Sequence, residues 1–208
     1  MIDVIMPAHP KDLGTIEMSI DSIRKYVKGV RRIILVSNRK LTDKAEWFNL
    51  EVFPFKGDDV AKIHGKSTKN GWYLMQLIKL YAPICIPDVL DNTLTCDTDC
   101  IFLNETNFLT DNNLPIWSSG PDLAKPGVQN VLGGAGKDSF LNKLHPNIFS
   151  IDVLKSISQK SKIEPQVNAM VFNKDIINNL FTDVENFHNN GDKFWQILLK
   201  CSNGKTSG

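Results

Sequence analysis

The chain has 208 residues, 42% of them hydrophobic, which is enough for one real core and too few for two ordinary enzyme domains. Its 24 Lys and Arg against 23 Asp and Glu leave neither a basic field for a phosphate backbone nor an acidic tail, so nucleic acid is excluded as the expected partner. Cys85, Cys96, Cys100 and Cys201 have no histidine at zinc-site spacing and read as reduced, buried thiols.

Ile2 to Met6 is an apolar run without alternation that ends at Pro7, the pattern of a strand buried on both faces. It is too short for a signal peptide or a membrane span, so a soluble, cytoplasmic protein is expected. Ile16, Ile20, Ile23 and Val27 recur at helical spacing, with Gly29 placed to stop that helix. Arg32 to Val36 predicts a second strand, Asp43 to Phe48 a short helical stretch, and Leu50 to Phe53 a third strand ended by Pro54. A polar loop from Lys56 to Asn70 leads into a helix over Gly71 to Ala82, with Leu74, Leu77, Ile78 and Tyr81 on one side and Pro83 as its end. Thr93 to Cys96 predicts a strand that runs into Asp97, Thr98 and Asp99. Short strands at Ile101 to Leu103 and Pro115 to Ser118 follow, then a loop around Gly133, Gly134 and Gly136 and a strand from Ala169 to Phe172. Helices over Lys174 to Phe187 and Asp192 to Cys201 close the chain. The expectation is one domain over residues 1–201, with 202–208 a polar tail or a cut from a longer polypeptide carrying further domains.

Strands alternating with helices at this pace imply an α/β domain around a mostly parallel sheet flanked by helices. In such sheets ligands bind outside the carboxyl ends of the strands, and both Pro7 to Pro10 and Asp97 to Asp99 stand at such ends. Two carboxylates just past a buried strand are expensive unless a positive partner meets them. A hard divalent cation, Mg²⁺ or Mn²⁺, would do so, since it takes carboxylate and diphosphate oxygens together and stabilises charge on a departing diphosphate. Two other readings of the triplet are a pair of solvated loop aspartates and a haloacid-dehalogenase-type phosphatase with Asp97 as nucleophile. The phosphatase motif continues with Gly and Thr near the start of its domain, whereas Cys100 and Ile101 follow here at mid-chain.

The triplet does not stand alone. Ile5-Met6-Pro7-Ala8, then Gly71-Trp72-Tyr73-Leu74-Met75-Gln76-Leu77-Ile78-Lys79, then Cys96-Asp97-Thr98-Asp99 with Phe102-Leu103, occur in that order. The series, over roughly residues 2 to 199, resembles the GT-A-type glycosyltransferases of a family of bacterial and large-virus proteins. That family includes the glycosyltransferase domain of a chlorella-virus capsid-glycan protein. The resemblance implies a single Rossmann-like GT-A domain, a UDP-sugar donor such as UDP-glucose, Mn²⁺ or Mg²⁺ on the triplet, and transfer of a hexose to a glycan or glycoprotein acceptor. A viral source would place the protein in the host cytoplasm. The sequence departs from its relatives at Val167-Asn168-Ala169-Met170-Val171-Phe172, where they tend to carry a histidine pair.

In a GT-A domain Pro7, Ala8 and His9 would meet the nucleoside, and Asn38 and Arg39, ending the second strand, the base or ribose; plain loops are the other reading. Trp72, Gln76 and Lys79 share one helix face by spacing, with Trp72 the donor contact or a core residue. Lys79 is placed to approach the diphosphate or to pair with an Asp of the triplet, and Lys66 and Lys69 are alternative phosphate partners or solvated loop lysines. Thr98 is assigned to the donor site, and Asp97, Asp99 and Lys79 carry the chemistry. His188, with His145 as a second, is the candidate for a third metal ligand beside Asp97 and Asp99, because imidazole often completes such sites; a surface histidine is the other reading of each. Glu185 or Asp152 would serve as the base of an inverting transfer, and the choice is open. Gly133, Gly134 and Gly136 lack the frame of a P-loop and read as a turn or an active-site loop. The rival from another class is a sugar-nucleotide or glycan-binding module without turnover.

Overall fold

The computed structural model describes residues 1–116 and 169–202. They form two compact units, 1–56 with 74–116 and 169–178 in the first, 57–73 with 179–202 in the second.

The first unit is built on a five-stranded sheet in the order β3-β2-β1-β4-β5. Its strands are β1 (Ile2–Pro7), β2 (Val30–Ser37), β3 (Glu46–Asn49), β4 (Asn92–Cys96) and β5 (Ala169–Asn173). The first four run parallel and β5 is antiparallel to β4, so the sheet is mostly parallel as expected. Every residue of β1 and β4 is buried, so the apolar residues of β1 show no alternation, while β4 buries Asn92, Thr93 and Thr95 beside Leu94 and Cys96. One face presents Val4, Met6, Ile33, Leu35, Leu94 and Cys96 to Ile16, Ile20 and Ile23 of helix α1 (Leu13–Tyr26). Gly29 stands three residues past α1 with φ at +72°, in the turn whose carbonyl receives the Ile2 amide at 2.8 Å. Helix α1 itself ends at Tyr26, because Val27 is already extended.

Four expectations are corrected here. Residues 46 to 49 are strand rather than helix. Glu46 pairs with Ile34 in register and takes hydrogen bonds from Arg32, while the Trp47 indole donates to the Ser37 carbonyl at 3.1 Å. Leu50 to Val52 is a 3-10 turn and not a strand, since the Asn49 side chain accepts from the Glu51 amide at 3.0 Å and closes the chain on itself. Ile101 to Leu103 joins no strand: the Cys100 carbonyl and the Phe102 amide are taken by Ser19 and Ser22 of α1. Pro83 does not end its helix, α3 (Asn70–Cys85). It stands in the last turn, where its missing N–H forfeits only one bond, to the Lys79 carbonyl. Pro115 makes an isolated bridge to Leu109, and residues 117 and 118 of that expected strand lie outside the described residues.

The second unit holds helix α2 (Gly57–His64), the first turn of α3, the later turns of α4 (Lys174–His188) and α5 (Phe194–Ser202). Helix α2 lies in the segment expected to be loop. Asp58 and Asp59 in its first turn and His64 in its last suit the helix dipole, and Val60 is its buried residue. His64 Nε2 lies 2.8 Å from both the Leu199 carbonyl and Ser202 Oγ, fastening α2 to α5. Phe181 stacks on Phe194 with centroids 4.2 Å apart. Among the described residues no helix is long and apolar enough to cross a membrane.

Candidate functional site

Parallel pairing brings the carboxyl ends of four strands to one edge of the sheet, at Pro7, Ser37, Asn49 and Cys96. Ile5 stands opposite Thr95, two residues before Pro7 and Asp97 respectively, and Pro7 pairs with Val36 on its other side. Beyond the edge, the Ala8 amide still reaches the Val36 carbonyl at 2.9 Å. The segments expected to meet a nucleoside and the acidic triplet therefore share one edge.

Asp97 leaves β4 with its side chain 32% exposed, and Lys79 Nζ of α3 meets its Oδ1 at 2.6 Å. This is one of the two partners that the helical spacing offered Lys79, whose side chain is 17% exposed. A lysine so covered and so close lowers the cost of a carboxylate at a strand end. The chain turns at once, with the Cys100 amide donating to the Asp97 carbonyl at 3.2 Å. Thr98 is buried and donates from Oγ1 to Asp12 Oδ2 at 3.1 Å, while Asp99 is exposed. Ser19 Oγ of α1 donates to the Cys100 carbonyl at 2.6 Å, fixing the far side of the turn. Cys96 and Cys100 flank the triplet and share a hydrogen bond. That bond and burial push the Cys96 thiol up, and the same bond draws the Cys100 thiol down.

His9 is exposed and caps the 3-10 turn Pro10–Asp12: its Nδ1 accepts from the Lys11 amide, and its own amide donates to Asp12 Oδ2. Asn38 and Arg39 are exposed beyond β2, where Ser37 Oγ donates to the Arg39 carbonyl. Gln76 is half-buried on α3, one turn before Lys79. Trp72 belongs to the second unit and is 45% exposed, which removes the core reading for it. Lys66 and Lys69 also lie in that unit, as do Glu185 and His188. Glu185 is engaged at the start of α5, accepting from the Phe194 amide at 3.0 Å and from Lys193 Nζ at 2.9 Å. His188 Nε2 is buried with no hydrogen-bond partner among the described residues. Gly133, Gly134, Gly136, His145 and Asp152 lie outside the described residues, as do Val167 and Asn168.

Asp12 and Trp47 escaped the sequence reading. The signal for Asp12 was a carboxylate three residues after His9 at a helix start, the spacing of a capping box. Trp47 carried none, because its place beside the Ser37 carbonyl depends on pairing of β2 with β3.

Among the described residues no three His, Cys, Asp or Glu side chains converge as a metal site. Mg²⁺ and Mn²⁺ sites commonly need only one or two protein carboxylates when phosphate oxygens supply the rest. The hard oxygens of Asp97 and Asp99, one of them already meeting a cation, fit such an ion bound together with a diphosphate.

No family model matches the chain, and no relative is found among curated proteins. Solved structures do match. The mannosyltransferase Ktr4p of S. cerevisiae is 12% identical with a TM-score of 0.51, over 97% of this chain and 61% of that one. A galactosyltransferase, LgtC, in complex with donor and acceptor sugar analogues, is 12% identical with a TM-score of 0.44, over 98% and 70%. This chain thus spans about three fifths of the length of the yeast enzyme. At such identity the likeness is one of fold, and the fold is of the α/β GT-A type.

Proposed function

We propose that the chain is a metal-dependent glycosyltransferase that moves a hexose from a UDP-sugar to a glycan or glycoprotein acceptor, in glycoprotein or surface polysaccharide synthesis. The observation that carries this reading is Asp97 just past the carboxyl end of β4 in a GT-A-type sheet, paired to Lys79 at 2.6 Å. The mannosyltransferase activity named for the yeast protein of like fold supports sugar transfer as the reaction class.

Asp97 and Asp99 would hold Mn²⁺ or Mg²⁺, which when bound supplies Lewis-acid stabilisation to a departing diphosphate. The chain's own residues have three tasks. Lys79 keeps a fixed positive charge beside Asp97, so phosphate oxygens drawn to the triplet meet an ammonium that needs no reorganisation. The exposed residues after β1 and β2, His9, Asn38 and Arg39, present backbone and side-chain polar groups at the same edge for a nucleoside. The turn from Asp97 to Cys100, tied to α1 through Ser19, holds the backbone that carries the two carboxylates.

Calorimetry of UDP with Mn²⁺ and with EDTA tests the reading. UDP is expected to bind measurably only with the ion, because carboxylates and diphosphate otherwise repel across a shared site. Asp99→Ala should abolish that binding with little change in melting temperature, since Asp99 is exposed. Equal UDP affinity in both conditions would refute the metal bridge, and tighter binding of GDP or CMP would refute the uridine assignment.

A further inference from the structure

We infer that Asp12 is a positioning residue for the acidic turn, acting through its hydrogen bond to Thr98; the consequence for donor binding rests on the function proposed above. Past Cys96 the triplet has left the sheet ladder, and the hydrogen bonds to its backbone among the described residues both end on the Asp97 carbonyl, from the Cys100 amide at 3.2 Å and from Cys96 Sγ at 3.4 Å. Thr98, between the two carboxylates, is the buried member of the three. Thr98 is the central residue of that turn, its peptide units shared with Asp97 and Asp99, so a bond that fixes the Thr98 side chain restrains the backbone that carries both carboxylates. The Thr98 hydroxyl is anchored by Asp12 Oδ2 at 3.1 Å, from a residue 86 positions earlier in the chain. The same oxygen accepts the His9 amide at 3.1 Å. One carboxylate oxygen therefore joins the loop after β1 to the acidic turn after β4, the two segments assigned to the nucleoside and to the metal. A second tie, from Ser19 Oγ to the Cys100 carbonyl, lies beyond Asp99 and cannot set the rotation at Thr98 alone. Asp12 acts as an acceptor, a task an amide oxygen also performs.

The test is hydrogen exchange of the peptide spanning residues 96 to 102 in the full chain, for Asp12→Ala, Asp12→Asn, Thr98→Val, Thr98→Ser and the double variant Asp12→Ala with Thr98→Val. Asp12→Ala and Thr98→Val are each expected to speed exchange in that peptide about tenfold, leaving β1 and β2 unchanged. Asp12→Asn and Thr98→Ser should stay within about twofold of the parent, and the double variant should be no faster than Asp12→Ala. Affinity for UDP with Mn²⁺ should follow the same order, about tenfold weaker where the bond is lost and near parental where it is kept. Unchanged exchange in Thr98→Val overturns the inference, and this isosteric variant decides if Asp12→Ala fails to fold. Asp12→Asn as impaired as Asp12→Ala also overturns it, because charge and not hydrogen bonding would then be the need. A parent protein that binds no UDP with Mn²⁺ counts against the proposed function and leaves the exchange pattern to decide the role of Asp12.

Discussion

Lys79 and Asp97 present a competition that can be measured. Their 2.6 Å contact puts an ammonium where a divalent ion would otherwise find both oxygens of Asp97 open. If Lys79 serves the diphosphate, its removal has opposite effects on two ligands. Lys79→Met should bind bare Mn²⁺ several-fold more tightly, because the competing charge is gone. It should bind UDP in saturating Mn²⁺ about tenfold more weakly, the loss of one charge-assisted contact. Calorimetry of both ligands checks this. A parallel fall in both affinities would mean that Lys79 only props Asp97 in place. The pairing was within reach of the sequence, since a helix face fixes where Lys79 points relative to Gln76 and Leu77. The bond from Thr98 to Asp12 was out of reach, for nothing local to either residue names the other across 86 positions.

At the scale of elements, legibility followed length and period. Helices α1 and α3 and strands β1, β2 and β4 carry runs that bury a whole stripe or both faces, and each lies where its pattern put it. Strand β3 has four residues and no buried one, so its state is set from outside, by Arg32 on Glu46 and by the Trp47 bond to Ser37. The same dependence on neighbours holds β1 to β2. Asp3 is fully buried in β1 and accepts two bonds from Arg31 of β2, the Nε contact at 2.9 Å, plus the Leu90 amide at 2.9 Å. That a charge sits inside an otherwise apolar strand is explained by this saturation of its oxygens. Asp3→Asn should cost about 3 kcal/mol, the low end for breaking a buried pair, because the Arg31 side chain retains access to water. Urea unfolding at constant m-value measures it; a loss under about 1 kcal/mol would mean that the pair contributes no more than a surface ion pair.

For the molecule as a whole, the sheet order and the parallel course of its first four strands decide what meets at the carboxyl edge of the sheet. Pro7, Asn38 and Asp97 are far apart in sequence, and alternation of strands and helices was enough to place each at a carboxyl end. Which of Glu185, Asp152 and the histidines would join them was not legible, since that depends on how segments outside the sheet fold. The division of the described residues into two units was equally hidden, because the helices α3 and α4 run from one into the other without a break in pattern. The central claim is that this edge transfers a sugar, and UDP release from UDP-hexose in the presence of Mn²⁺ tests it most directly. Purified protein is incubated with each UDP-hexose, first in water alone and then with a panel of simple sugar and glycan acceptors, and the anomeric proton is followed by NMR. The account predicts acceptor-stimulated UDP release with formation of a new glycosidic product, abolished in the protein carrying Asp97→Ala and Asp99→Ala. Tight, metal-dependent UDP binding with no product from any donor and acceptor would contradict it and mark the chain as a binding module that keeps the fold without turnover.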